Sequence, residues 1–107
     1  MAEKLRIGVI GWGEIGQHHA SHFESGGAVL SAVLSSRKDL RLEVPVFNNL
    51  QKMLPHVDAV CIAVPNFLHA SYCLEAARAG KAVFLEKPMC INQRELEELE
   101  KVLHILI

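Results

Sequence analysis

The sequence predicts an α/β fold, a doubly wound parallel sheet of about five strands, on three observations. Five short aliphatic and β-branched runs recur, at residues 6–10, 28–34, 44–47, 59–64 and 82–85. Their near-continuous apolar character, without strict polar alternation, suits strands covered on both faces. Segments of helical character separate several of them, and a glycine cluster directly follows the first run. A length of 107 residues allows one such domain, and a composition 50% hydrophobic and 21% charged supplies a core and argues against disorder.

Arg6 to Ile10 (RIGVI) is the first strand and runs straight into Gly11. Ile15 to Ser25 forms the first helix, stopped by Gly26-Gly27, and Ala28 to Leu34 is the second strand. The next interval, Ser35 to Glu43, is shorter than the dozen or so residues a parallel crossover takes, so a loop or single turn replaces a helix there. Val44 to Phe47 is the third strand, followed by a short helix around Leu50 to Leu54, with Pro55 and Asp58 turning the chain into the fourth strand, Ala59 to Val64. Ala70 to Ala79 is a helix that stops at Gly80 and leads to the fifth strand, Ala82 to Leu85. Asn92 and Glu95 have the spacing of an N-cap and its box partner, and Leu96, Leu99, Val102, Leu103 and Leu106 then share one helical face. That helix runs to Ile107 without glycine, proline or a polar stop, so the chain is expected to be cut rather than finished.

A formal charge of −1 provides no general attraction for nucleic acid or an anionic membrane. The longest strongly apolar run, residues 59–64, falls far short of the roughly 20 residues that span a bilayer. The opening Met-Ala-Glu-Lys-Leu-Arg lacks the layout of a secretory signal, and a cytoplasmic location is expected. Cys61, Cys73 and Cys90 are odd in number and form no CxxC pair, so they read as reduced, mostly packed thiols.

Gly11-Trp12-Gly13-Glu14-Ile15-Gly16 is a GxGxxG sequence at the junction of the first strand and first helix. In that context Gly11 serves a tight turn, Gly13 lets backbone approach a pyrophosphate, and Gly16 lets the helix pack on the sheet, while the amides of Glu14 and Ile15 face the anion. Trp12 either flanks the pyrophosphate or caps the sheet edge, and the second is preferred. At the end of the second strand an acid would bond the ribose 2′-hydroxyl; Ser35, Ser36, Arg37 and Lys38 stand there instead, two hydroxyls and two cations that suit a 2′-phosphate. NADP(H) is therefore favoured over NAD(H), with a solvated, ligand-free basic loop as the alternative. Pro65, Asn66 and His69 follow the fourth strand and Glu86-Lys87-Pro88 the fifth, at the carboxyl edge where open α/β sheets bind ligands. By position alone Lys87 is as readily a surface lysine as a catalytic one. His18, His19 and His22 include metal-ligand spacings, but no acid or cysteine completes the set, and no metal is expected.

The glycine motif, the Ala63-Val64-Pro65-Asn66 segment with His69, and Glu86-Lys87-Pro88 before a helix together resemble the amino-terminal, Rossmann-like domain of the Gfo/Idh/MocA oxidoreductases over nearly the whole chain. The resemblance implies that Lys87 is the catalytic lysine near the nicotinamide, polarising or protonating the substrate oxygen during hydride transfer. It implies too that Glu86 lies by the nicotinamide ribose and that Asn66 and His69 line the same pocket. The short link after the second strand also resembles diaminopimelate dehydrogenases, which makes a substrate assignment by family unsafe. The resemblance also implies a second α/β domain that binds substrate in family members, and that domain is expected to be lacking here. The expectation is one dinucleotide-binding domain over residues 1–107, of very low activity alone, acting on a small molecule only if a substrate domain is supplied. The alternative is a stand-alone nucleotide-binding or scaffold module that docks a partner protein through the Leu96–Ile107 helix.

Overall fold

A computed structural model describes residues 4–65, 68–85 and 94 of the chain. Strand β1 (Arg6–Ile10) leads into helix α1 (Glu14–Ser25), and β2 (Val29–Leu34) follows. After an irregular loop come β3 (Val46–Phe47), helix α2 (Leu50–Met53) with a 3₁₀ turn at Leu54–His56, β4 (Ala59–Ile62), helix α3 (His69–Arg78) and β5 (Ala82–Leu85). All pairings are parallel, and the spatial order is β3-β2-β1-β4-β5. This is the expected doubly wound sheet.

The central strands β1 and β4 are largely apolar because both faces are covered, whereas the edge strand β5 alternates exposed and half-buried residues. Side chains alternate along β1 and β4, so Ile7, Val9, Ala59 and Cys61 pack with Ala20 of α1, while Ile10, Val60 and Ile62 pack with Met53, Leu54, Cys73 and Leu74 on the opposite face. Gly8 keeps the second core tight, since a Cβ there would lie 2.9 Å from Val57 Cγ1 and 3.1 Å from Met53 Cε. Helix α1 thus covers one face, and α2, the 3₁₀ turn and α3 cover the other. At the amino edge Arg6 grips Asp58 through both carboxylate oxygens, NH2 to Oδ1 at 2.9 Å and Nε to Oδ2 at 3.3 Å, and its backbone N–H also donates to Oδ2 at 2.9 Å. The guanidinium and backbone bonds of Arg6 hold the Asp58 carboxyl below its ordinary range.

Several boundaries differ from the sequence expectation for local reasons. Strand β3 begins at Val46 rather than Val44, since Pro45 has no N–H for the ladder and contributes its carbonyl, which accepts from Val33 at 3.0 Å. Strand β4 ends at Ile62, and Ala63 already bonds across to Ile10 O at 2.8 Å as the chain turns away. The short helix tightens to 3₁₀ geometry at Leu54, one residue before Pro55. The loop after β2 contains no helix, as its length requires. The expectations for Asn66, Glu86, Lys87, Pro88 and Cys90, and for a Leu96–Ile107 helix with its partner contact, lie outside the described residues. Among the described residues no helix is long and apolar enough to cross a membrane.

Candidate functional site

Register brings the carboxyl ends of the strands to one edge. Ile10 pairs with Leu34 and with Ile62, and Ile62 with Leu85, so Gly11, Ser35 and Ala63 each take the first step beyond the sheet. The chain winds from β1 outward through β2 to β3, then returns to place β4 and β5 on the other side of β1. The crevice outside β1 and β4 is therefore the topological switch point, where such sheets bind ligands.

The three glycines of the motif do different jobs there. Gly11 has φ +96°, and a Cβ would stand 2.6 Å from Ala63 O and 2.9 Å from Val64 Cγ1, so only glycine lets the turn pass between β1 and β4. At Gly16 a Cβ would run into the carbonyl oxygen of Gly11 and sit 3.3 Å from Val9 Cγ1, which seats the first turn of α1 directly on the loop and β1. Gly13 differs from both: nothing lies within 4 Å of its Cβ position. It is the N-cap of α1, and no side chain caps that helix. The amides of the first turn, Glu14 and Ile15 among them, have no carbonyl to meet inside the helix and bring the positive end of its dipole to open space. Those features suit an anion that approaches backbone closely, and a dinucleotide pyrophosphate is of that kind.

The second part of the edge is the loop after β2. Ser35 donates its backbone N–H to Phe47 O at 2.9 Å, and its Oγ accepts from Arg37 N at 3.2 Å, folding the loop back on itself. Ser35, Ser36, Arg37 and Lys38 line an open concavity of about 520 Å³ with Phe47 and Arg41. Arg37 Nε lies 3.7 Å from Asp39 Oδ1, both side chains being well exposed. Arg41, which sequence reasoning missed, joins the cationic wall by donating from NH1 to the carbonyls of Lys38 at 3.1 Å and Leu40 at 3.3 Å. Its signal was its place in the same short link, ahead of a strand that turns the loop back toward Ser35.

The described residues at the far end of the crevice are Pro65 and His69. Pro65 O accepts from Leu68 N at 3.0 Å, which forms the turn into α3. His69 is 4% exposed, and its Nε2 donates to Val64 O at 2.8 Å, tying the first turn of α3 to the segment just after β4. The ring is thus buried and fixed to the backbone just beyond β4. Trp12 is half-buried against the α1-side core, and its carbonyl accepts from Gln17 Nε2 at 3.4 Å. Cys61 and Cys73 are buried, and burial pushes the Cys73 thiol up to about 11, so it is a packed, unreactive group. His18 and His22 stand on the exposed side of α1 with ring centres 4.3 Å apart. Among the described residues no three His, Cys, Asp or Glu side chains are placed to hold a metal ion.

A switch-point crevice, a glycine turn under an uncapped helix and a polar loop after β2 define a dinucleotide-binding Rossmann domain. The chain belongs to the Gfo/Idh/MocA family, since residues 5–106 match the family described as an oxidoreductase family with an NAD-binding Rossmann fold. Among curated relatives it is 34% identical to myo-inositol 2-dehydrogenase of Thermotoga maritima, over 91% of this chain and 33% of that protein. Among solved structures, scyllo-inositol dehydrogenase from Lactobacillus casei with bound NAD(H) and scyllo-inositol superposes with a TM-score of 0.81 at 30% identity, over 94% of this chain and 33% of that one. The WlbA dehydrogenase from Bordetella pertussis, in complex with NADH and UDP-GlcNAcA, superposes with a TM-score of 0.82 at 27% identity, over 94% of this chain and 34% of that one. The chain thus spans about a third of the length of these relatives.

Proposed function

We propose that residues 1–107 are the NADP(H)-binding domain of an oxidoreductase that transfers hydride to or from a sugar, polyol or related small molecule, with substrate held by a second domain. The observation that carries the cofactor part is the open space over Gly13 at the uncapped start of α1. Gly11, Gly13 and Gly16 shape the turn, and the amides of Glu14 and Ile15 bind the pyrophosphate. The concavity of Ser35, Ser36, Arg37 and Lys38 takes the adenosine end, where Arg37 and Lys38 pair with the 2′-phosphate. Two cations and two hydroxyls without an acid at Ser35 support this choice over the ribose diol of NAD(H), although relatives are described with NAD(H).

The bound nicotinamide supplies the hydride chemistry. Pro65, Asn66, His69 and Glu86 form the wall around it, and Lys87 holds or moves the proton at the substrate oxygen. These roles rest on the family motif, and they support a sugar- or polyol-type substrate because the named relatives include inositol dehydrogenases. Alone, the domain binds cofactor but turns over little, because hydride transfer needs substrate fixed within near-attack distance.

The test is calorimetric titration with NADPH and with NADH. One charge-assisted contact is worth about 1.5–3 kcal/mol, or about tenfold and more in affinity. NADPH is expected to bind tighter by at least that factor, and Arg37→Asp to remove the difference. Equal or tighter binding of NADH makes the loop a solvated segment and the cofactor NAD(H); binding of neither overturns the proposal.

A further inference from the structure

The geometry points to a metal site on the outer face of α1, in which His18 and His22 chelate one first-row divalent ion of the Ni²⁺ or Cu²⁺ type. Four residues apart, the two histidines fall on one stripe of the helix, and both are exposed. Their rings are close and tilted, with centroids 4.3 Å apart and planes at 48°. An imidazole nitrogen sits about 2.0 Å from a bound ion and its ring centre about 1.1 Å farther, so two rings that each turn a nitrogen to one ion while keeping centroids 4.3 Å apart would subtend roughly 90° at it. That is the angle between neighbouring ligands in a tetragonal site, which Ni²⁺ and Cu²⁺ prefer, and it is tighter than a tetrahedron.

The sequence expectation of no metal rested on the missing third protein ligand. A closed structural zinc site needs four ligands, whereas a tetragonal ion held by a helical two-histidine chelate completes its shell with water. The ion's charge also falls in the last turn of α1, where His22 lies and the helix dipole favours a cation. The site is independent of the dinucleotide crevice: it lies on the exposed stripe of α1, while the crevice uses the amides of the first turn.

The test is titration of the full chain, prepared without a histidine tag, with Ni²⁺ alone, followed by calorimetry and by thermal unfolding. One ion per chain is expected, with saturable binding that raises Tm because it favours the folded helix. His18→Asn and His22→Asn should each weaken binding at least tenfold, and His56→Asn, which changes an exposed histidine elsewhere, should not. His18→Ala/His22→Ala, which places the best helix former at both positions, keeps the helix and should abolish the Tm rise. Wild-type affinity in either single variant, or a mere twofold loss in each, shows separate single-histidine binding and overturns the chelate. A Tm rise that survives the double variant overturns it as well.

Discussion

Replacing Gly16 by alanine sets two calculable effects against each other. Alanine in place of a helical glycine gains about 1 kcal/mol of intrinsic propensity, so a helix considered alone would be stabilised. In this fold the new methyl meets the carbonyl oxygen of Gly11, with the Gly11 carbonyl carbon at 3.2 Å and Val9 Cγ1 at 3.3 Å. Overpacking of a tight interior costs about 1–3 kcal/mol, and because the obstacle is backbone that no rotamer change can move, the upper half of that range applies. The net loss is about 1–2 kcal/mol, which for a domain of this size lowers Tm by about 5–15 °C. Thermal unfolding followed by far-ultraviolet circular dichroism measures it. A Tm equal to or above that of the parent would refute the close seating of α1 on the glycine turn.

Gly13→Ser should do the opposite. Its backbone is extended at φ −87°, its Cβ position is open, and serine caps a helix better than glycine by a few tenths of a kcal/mol, so stability should hold or rise. Nucleotide affinity should nonetheless fall at least tenfold in the same calorimetric titration, because the side chain occupies the anion's space and its oxygen takes an amide. Asp58→Asn should lower Tm at neutral pH and lose that effect in acid. The folded carboxyl titrates below its ordinary 3.8, so its contribution is present above about pH 4 and vanishes as pH falls through the lowered value; unfolding curves from pH 7 to 2 should converge at the acid end.

How much of this was legible in the sequence depends on whether the cause was local. RIGVI and Ala82–Leu85 are strands at the expected bounds, because parallel strands read as continuous apolar runs even where, as in β5, alternate residues are exposed. The two principal helices begin and end within a residue of expectation, since glycine stops act within one turn. Strand β3 shrank because Pro45 limits its ladder, a local rule that hydrophobicity alone obscured. The candidate site divides in the same way. The glycine motif was readable because each glycine answers a backbone need, but which of the three faces open space follows from how β4 runs past β1. His69, expected to line the pocket, carries no local sign that its ring would be drawn to Val64 O, and Arg41 enters the concavity only through the folding of its loop. Both are products of how a short loop folds on itself, which hydrophobic periodicity does not report.

The most direct test of the central claim is an amide-resolved NMR titration of the ¹⁵N-labelled chain with NADPH. The largest shifts are expected at Gly11, Gly13, Glu14, Ile15 and Gly16, with a second group from Ser35 to Lys38 and little change at Arg6 and Asp58 on the opposite edge of the sheet. Saturable binding whose shifts avoid the Gly11–Gly16 amides would contradict that claim.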